Sequence, residues 1–314
     1  MTLLEMIQRY PREPASGVPD WMLGCFRRRC ISFANGESDE HTIVYWLQTR
    51  NLTIDLRLPR TEQQVRAAPI GEYNEQELTA MANYEGWLAD CAWNGKEMAW
   101  QRAESLQVTN RWPEPAVLHR IGNSMIEFAP SGAYVEDWRM QASAPGPLLG
   151  LRLLQEFDAV TNSWAPRGGG LIVCGDYAAL VVGRPATSAI DAAKPLQDQV
   201  RGAVGNEARL HELLGFETSI AVGSLQEGYT VMHSTVPERQ GAPLFGPGTF
   251  EWNRSESLLE HRVLHEGQEC RRRYAVDVML PHQAFPLSTP CDATASDWFI
   301  RESGTLRRYA EVLS

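Results

Sequence analysis

Apolar and polar positions alternate with a period of two over much of this chain, which is the signature of half-buried strands. Thr42–Thr49 and Leu52–Leu58 are β-rich runs separated only by Arg50-Asn51, and Asn tolerates positive φ, so they predict a tight hairpin closed off by Pro59. In the second run Ile54, Leu56 and Leu58 share one face, and Thr53, Asp55 and Arg57 share the other. Gly86–Trp93 and Lys96–Glu104 flank Asn94-Gly95, the strongest hairpin signal in the chain. Val117–Phe128 and Ala133–Gln141 predict another strand pair, with Pro130-Ser-Gly132 as its turn. Further strands are expected at Arg29–Phe33, Leu149–Phe157, Gly170–Arg184, Thr218–Gly223, Gly228–Val236, Phe250–His265 and Gln268–Leu280, with a Gly-rich turn at Arg167–Gly170. Helical periodicity is confined to Asn74–Met81 and to residues 187–214, the latter broken near Gly202–Gly205. Thr294–Leu313 mixes strand and helix signals.

The pattern recurs. Tyr84-Glu85, the Asn94-Gly95 turn and Trp100 are matched by Phe216-Glu217, a turn at Glu227-Gly228 and Met232-His233, at an offset of roughly 132 to 134 residues. Short hairpins without βαβ alternation favour a mainly β protein, and an internal duplication predicts two antiparallel β-barrels with a few short covering helices. Pro11, Pro14 and Pro19 make residues 1–28 an irregular lead-in. The small-residue, Pro-containing stretch 142–148 divides a first barrel domain, 29–145, from a second, 146–314.

Composition narrows the function classes. The chain has 314 residues, 43% hydrophobic content and net charge -10, which argue for a globular protein and against a nucleic-acid binder. Arg271-Arg272-Arg273 is expected to be a solvated strand end. Six dispersed cysteines form no C-x-x-C pair, so neither a zinc site nor a disulfide framework is expected. With no signal-peptide pattern at the N-terminus and no eighteen-residue apolar run, the expectation is a reduced, cytoplasmic protein without membrane or nucleic-acid partners.

Familiar catalytic motifs are missing. Gly168-Gly169-Gly170 lacks the Lys-Ser/Thr ending and following helix of a phosphate loop. His261-x-x-x-His265 has Arg262 where a zinc protease needs Glu, and predicts a partly exposed polar strand face. There is no G-x-S-x-G elbow. The chemistry concentrates instead in the first half. Tyr134, Glu136 and Trp138 alternate on one strand face, Glu127 lies on the preceding strand, and His119 is just upstream. If these residues, Asp55 and Arg57 all face inward, the barrel encloses Arg, carboxylates, Tyr and Trp. Such a set can anchor a polar group by charge-assisted hydrogen bonds and stack an aromatic one. Six of the ten tryptophans, Trp46, Trp87, Trp93, Trp100, Trp112 and Trp138, fall in this half, as core packing or cavity lining.

Val44-Tyr-Trp-Leu-Gln-Thr49, Asp55-Leu-Arg-Leu-Pro59, Gly86-Trp87, Glu127 and Tyr134-Val-Glu-Asp-Trp138 together resemble a family of lipocalin-like (calycin) double barrels, mostly uncharacterised and bacterial, whose named eukaryotic member is a yeast protein that interacts with a casein kinase. The resemblance covers residues 29–140 and continues, more weakly, from 170 to 236. It implies two calycin-type barrels side by side. It implies no cofactor and carries over no catalytic residues.

Three functions follow as expectations. The leading one is binding of a small, partly apolar, aromatic or carbonyl-bearing molecule, with Asp55, Arg57, Trp87 and Trp138 as ligand-binding residues. The second is a cofactor-free hydrolase, isomerase or lyase in which Glu136 or Glu127 moves a proton, helped by Tyr134 or His119, with no metal. The third is a protein-interaction scaffold with a filled interior. The sequence leaves open which barrel holds the pocket, and the oligomeric state.

Overall fold

The computed structural model describes residues 1–158, 161–246, 248–253, 255–265 and 268–287, together with 297, 300, 301, 303 and 304. Most of Thr294–Leu313 therefore lies outside the described residues. The protein is mainly β and antiparallel, with four short helices among the described residues. No helix among them is long and apolar enough to cross a membrane.

The first sheet is built from β1 (Gly24–Phe33), β2 (Ser38–Asp39), β3 (Ile43–Gln48), β4 (Leu52–Leu58), β5 (Glu85–Trp93), β6 (Glu97–Ser105), β7 (Ala116–Ile121), β8 (Ser124–Phe128) and β9 (Tyr134–Met140). Its order follows the chain, with β2 as a short outer addition, and β1 pairs with β9. Eight strands thus close into a barrel. The hairpins at Arg50-Asn51 and Asn94-Gly95 form as expected. Asn94 Oδ1 accepts hydrogen bonds from the backbone N–H of Lys96 and Glu97, and Gly95 takes φ +97°. Val117–Phe128, expected as one strand, is two. Gly122, at φ +58°, turns β7 back into β8.

The second sheet comprises β10 (Gly146–Asp158), β11 (Ser163–Cys174), β12 (Tyr177–Pro185), β13 (Glu217–Ser224), β14 (Gly228–Ser234), β15 (Thr249–Asn253), β16 (Leu258–His265) and β17 (Gln268–Gln283). Its first and last strands, β10 and β17, pair as β1 and β9 do, so both sheets share one cyclic order. The difference lies between the fifth and sixth strands. β14 and β15 are not paired among the described residues, and the sheet is open there rather than closed as a barrel. The physical reason is the connecting segment. Gly241 N donates to Val231 O at 2.9 Å, Val231 N to Ala242 O at 2.9 Å, and Leu244 N to Tyr229 O at 2.8 Å, which occupies the edge of β14 that β15 would need. The first barrel is weakest at the same place, since β6 and β7 share only Glu97↔Val117 and Met98↔Ala116. The expected Gly-rich turn at Arg167–Gly170 is strand instead. β11 runs through it with a bulge against β12, where Gly169 sits at φ +127° and a Cβ would collide with Val181 O.

Four helices are added: α1 (Leu3–Arg9), α2 (Glu75–Met81), α3 (Leu196–Gly202) and α4 (Glu207–Leu214). α2 starts on an Asn74/Glu77 capping box, and α3 and α4 are the broken helical segment the sequence predicts. The lead-in is not wholly irregular. Thr2 and Glu5 form a capping box for α1, whose Leu3, Met6 and Ile7 are buried in the second unit's core with Leu149, Leu151 and Met279.

The two sheets pack face to face across β4. Every residue of β4 is buried. Thr53, Asp55 and Arg57 face the barrel interior, while Ile54, Leu56 and Leu58 share a core with Ile172, Val181 and Ile220 of the second sheet and with Phe216, just ahead of β13. Gly86, next to this contact, has no room for a Cβ against Thr218 Oγ1. Asp277 of β17 latches the β3–β4 turn. It accepts hydrogen bonds from Thr49 Oγ1 at 2.8 Å, Asn51 N at 3.0 Å and Asn51 Nδ2 at 2.8 Å.

Candidate functional site

Inside the first barrel is a cavity of about 350 Å3. Its floor comes from alternation on β4, β8 and β9, which turns Asp55, Arg57, Glu127, Tyr134 and Trp138 to one side. Trp46, Trp87 and Trp100 add walls, and the β6–β7 connection lays Trp112 over the mouth. Five tryptophans therefore line one space. Trp46 meets Trp100 and Trp138 edge to face at 5.7 and 5.3 Å, and Trp87 meets Trp100 at 5.9 Å. Four of the indole N–H groups are taken by protein acceptors. Trp46 donates to Gln48, Trp100 to Thr53, Trp112 to Glu85 and Trp138 to Glu127.

The polar floor is a charge network. Arg57 Nε donates to Asp55 Oδ1 at 2.9 Å, and its guanidinium lies 4.4 Å from the centre of the Trp112 ring. Glu136 sits behind Arg57 and is 1% exposed. It accepts from Arg28 Nη1 at 2.9 Å and lies 3.7 Å from Arg57 Nη1, beyond hydrogen-bond reach. Among the described residues Arg57 Nη1 has no hydrogen-bond partner. Glu127 receives Trp138 Nε1 at 3.0 Å and the Tyr134 hydroxyl at 3.3 Å, directly across the β8–β9 ladder from Glu136. Burial, then the charge of Glu136, pushes the Glu127 carboxyl well above its usual range, against the pull of Arg57 and Trp138. Burial pushes Asp55 up to about 6 despite Arg57. Arg57 moves up, because Asp55, Glu136 and Glu85 outweigh its desolvation. Tyr134 is also pushed up, by burial and then by the Glu127 and Glu136 carboxylates.

Asp55, Arg57, Trp87, Glu127, Tyr134 and Trp138 thus all line the cavity, as the sequence suggests. Glu136 does not reach its wall and serves as a buried counter-ion. His119 is not brought in either. Its neighbour Leu118 pairs with Glu127, so period-two alternation turns His119 to the other face, where its ring lies 6.0 Å from Phe128. Arg28, Glu85, Trp46, Trp100 and Trp112 complete the site. Arg28 was traceable: exposed Arg27 and Arg29 flank it in a strand, so it must face the opposite way.

The other arginine triplet corrects an expectation. Arg271-Arg272-Arg273 is not a solvated strand end. Arg272 is 5% exposed and donates to Glu156 Oε2 at 2.7 Å, while Arg271 and Arg273 pair with Glu260 at 3.0 and 2.9 Å. Nor is His261 on a partly exposed face. It is 4% exposed and stacks on Phe250 at 4.0 Å; the side chain of His265 lies outside the described residues.

The chain matches no protein-family model and no curated protein. Among solved structures it aligns with an uncharacterized protein from Saccharomyces cerevisiae at 12% identity and a TM-score of 0.45, over 84% of this chain and 100% of that one.

Proposed function

We propose that the first barrel binds a small molecule with an aromatic body and one carbonyl or carboxylate acceptor, a lipocalin-like use of the fold. The observation that carries this reading is Arg57, whose guanidinium lines the cavity between Asp55 and the Trp112 ring and whose buried Nη1 has no hydrogen-bond partner among the described residues. A buried guanidinium N–H without an acceptor is costly, and a ligand oxygen supplies one. The indoles around it, most of whose N–H groups are already bonded, offer apolar faces to a flat ring. The unpaired thiols of Cys25, Cys30, Cys91, Cys174 and Cys270 fit a reducing, cytoplasmic setting. Titration with 2-naphthoate, followed by tryptophan fluorescence, tests the proposal. Saturable quenching is expected, with naphthalene at least about tenfold weaker and Arg57→Met erasing that difference. Equal affinity of the two probes for the native protein would sink it.

A second reading rests on Glu127. A carboxyl in the cavity wall that burial raises well above its usual range can give a proton to a bound carbonyl, as a general acid in cofactor-free hydrolysis, isomerisation or elimination. Glu127→Gln would then abolish turnover of an aromatic ester or ketone while leaving 2-naphthoate quenching in place. Full activity in that variant would remove Glu127 from the chemistry.

A further inference from the structure

A larger cavity, of about 730 Å3, lies against the second sheet and is lined also by the β4–β5 connection, at Pro69–Gly71 and Tyr73, and by α4. It lies where the first one does. The first is covered by the connection between the fifth and sixth strands, residues 107–112; the second is lined by the equivalent connection, from Val236 to Gly246. Each sheet also has an ion pair between its first and last strands, with opposite polarity. Arg28 of β1 meets Glu136 of β9, whereas Glu156 of β10 meets Arg272 of β17.

Around Glu156 the second cavity holds two arginines against one carboxylate. Arg167 and Arg272 both line it, and both lean on the single carboxylate of Glu156, at 3.8 and 2.7 Å. Among the described residues Arg272 Nη2 and Arg167 Nε have no hydrogen-bond partner. The Arg272 side chain is 6% exposed. His261 adds no charge, because burial and Arg272 lower it to about 3. The carboxylates elsewhere in the lining are otherwise engaged or remote: Glu217 accepts from Arg239 Nε at 2.7 Å, Glu238 from the Tyr73 hydroxyl at 3.1 Å, and Glu207 is exposed at the mouth. The rest of the lining mixes these polar groups and His211 with an apolar stretch formed by Leu171, Leu180, Val182, Leu214, Leu244 and Phe245.

We propose that this cavity binds an amphiphilic organic anion, its carboxylate held by Arg272 and Arg167 and its apolar body lying along the leucine-rich wall. Two unused guanidinium donors match the two oxygens of a carboxylate. Two arginines sharing the one Glu156 carboxylate favour an anionic head group over a neutral one at that place, and the volume is that of a small-molecule site.

Calorimetric titration of the full chain with decanoate and with decanol tests this directly. Decanoate is expected to bind at one site, at least about tenfold more tightly than decanol. Arg272→Met should remove that preference and leave decanol affinity within about threefold. Should that variant fail to fold, because Glu156 has lost its partner, Glu156→Gln combined with Arg272→Met leaves no unpaired carboxylate and gives the same reading. Equal affinity for decanoate and decanol would overturn the proposal, as would unchanged decanoate affinity in either folded variant. So would loss of decanoate binding in Arg57→Met but not in Arg272→Met, which would place the anion in the first barrel. Because 2-naphthoate quenching depends on Arg57, the two cavities can fail independently.

Discussion

Arg28 and Arg272 are each the middle member of an arginine triplet on a strand, and each is the one that faces inward. Charge density alone makes such triplets look solvated, while alternation makes the central guanidinium an interior group that needs a carboxylate. The same alternation made Asp55, Arg57, Tyr134 and Trp138 legible as neighbours. It did not reveal that Glu136 would be drawn behind Arg57, because Arg28 lies in the part of β1, Gly24–Arg28, that precedes the expected strand Arg29–Phe33. Glu136→Gln should destabilise the protein by about 3–5 kcal/mol, since Arg28 and Arg57 would keep their buried charge with less compensation; a urea midpoint that does not move would contradict this. Glu127 gives a pH signature. Its folded carboxyl holds a proton that the unfolded chain releases near pH 4.5, so the folded state binds more protons above that point. Wild-type stability contributed by this group therefore falls as pH rises. Relative to wild type, Glu127→Gln should gain stability from pH 5 to pH 8 in urea titrations, and a constant difference would show that Glu127 ionises freely in the fold.

Hairpins were the most legible elements, because Arg50-Asn51 and Asn94-Gly95 write their turn chemistry locally. The Pro130-Ser-Gly132 turn lies between β8 and β9 as expected, whereas the weaker Gly122-Asn123 signal hides the β7–β8 turn inside an apparent single strand. Gly168–Gly170 misled in the opposite direction. The glycines there answer to close approach, since a Cβ on Gly170 would meet Leu151 O and one on Gly169 would meet Val181 O. Contacts between elements suggest two disruptive changes. Gly86→Val would drive a side chain into Thr218 and should cost about 1–3 kcal/mol, read as a lower melting temperature. Asp277→Ala removes three hydrogen bonds to the β3–β4 turn and should cost about 1.5–3 kcal/mol or more. Hydrogen exchange at Asn51 should accelerate with it; unchanged exchange would mean that the latch holds nothing.

The mainly β class could be read from the chain, but the place where each sheet is weakest could not. Closure depends on pairings between strands far apart in sequence, such as β1 with β9 and β10 with β17, and on which backbone edge residues 241–244 occupy first. The sharing of one core by both sheets was equally hidden, because Ile54, Leu56 and Leu58 look like an ordinary apolar face until Phe216 and Ile220 are found against it. That shared core predicts one cooperative urea transition for the full chain, with tryptophan fluorescence and circular dichroism superimposing; two separated transitions would contradict it. It also sets how freely this protein can drift. β9 is buried at every second residue, whereas β4 is buried at all seven. A library covering both strands should show tolerance at alternate codons of the former and nowhere along the latter, so that neither sheet can rewrite the common wall without the other's consent.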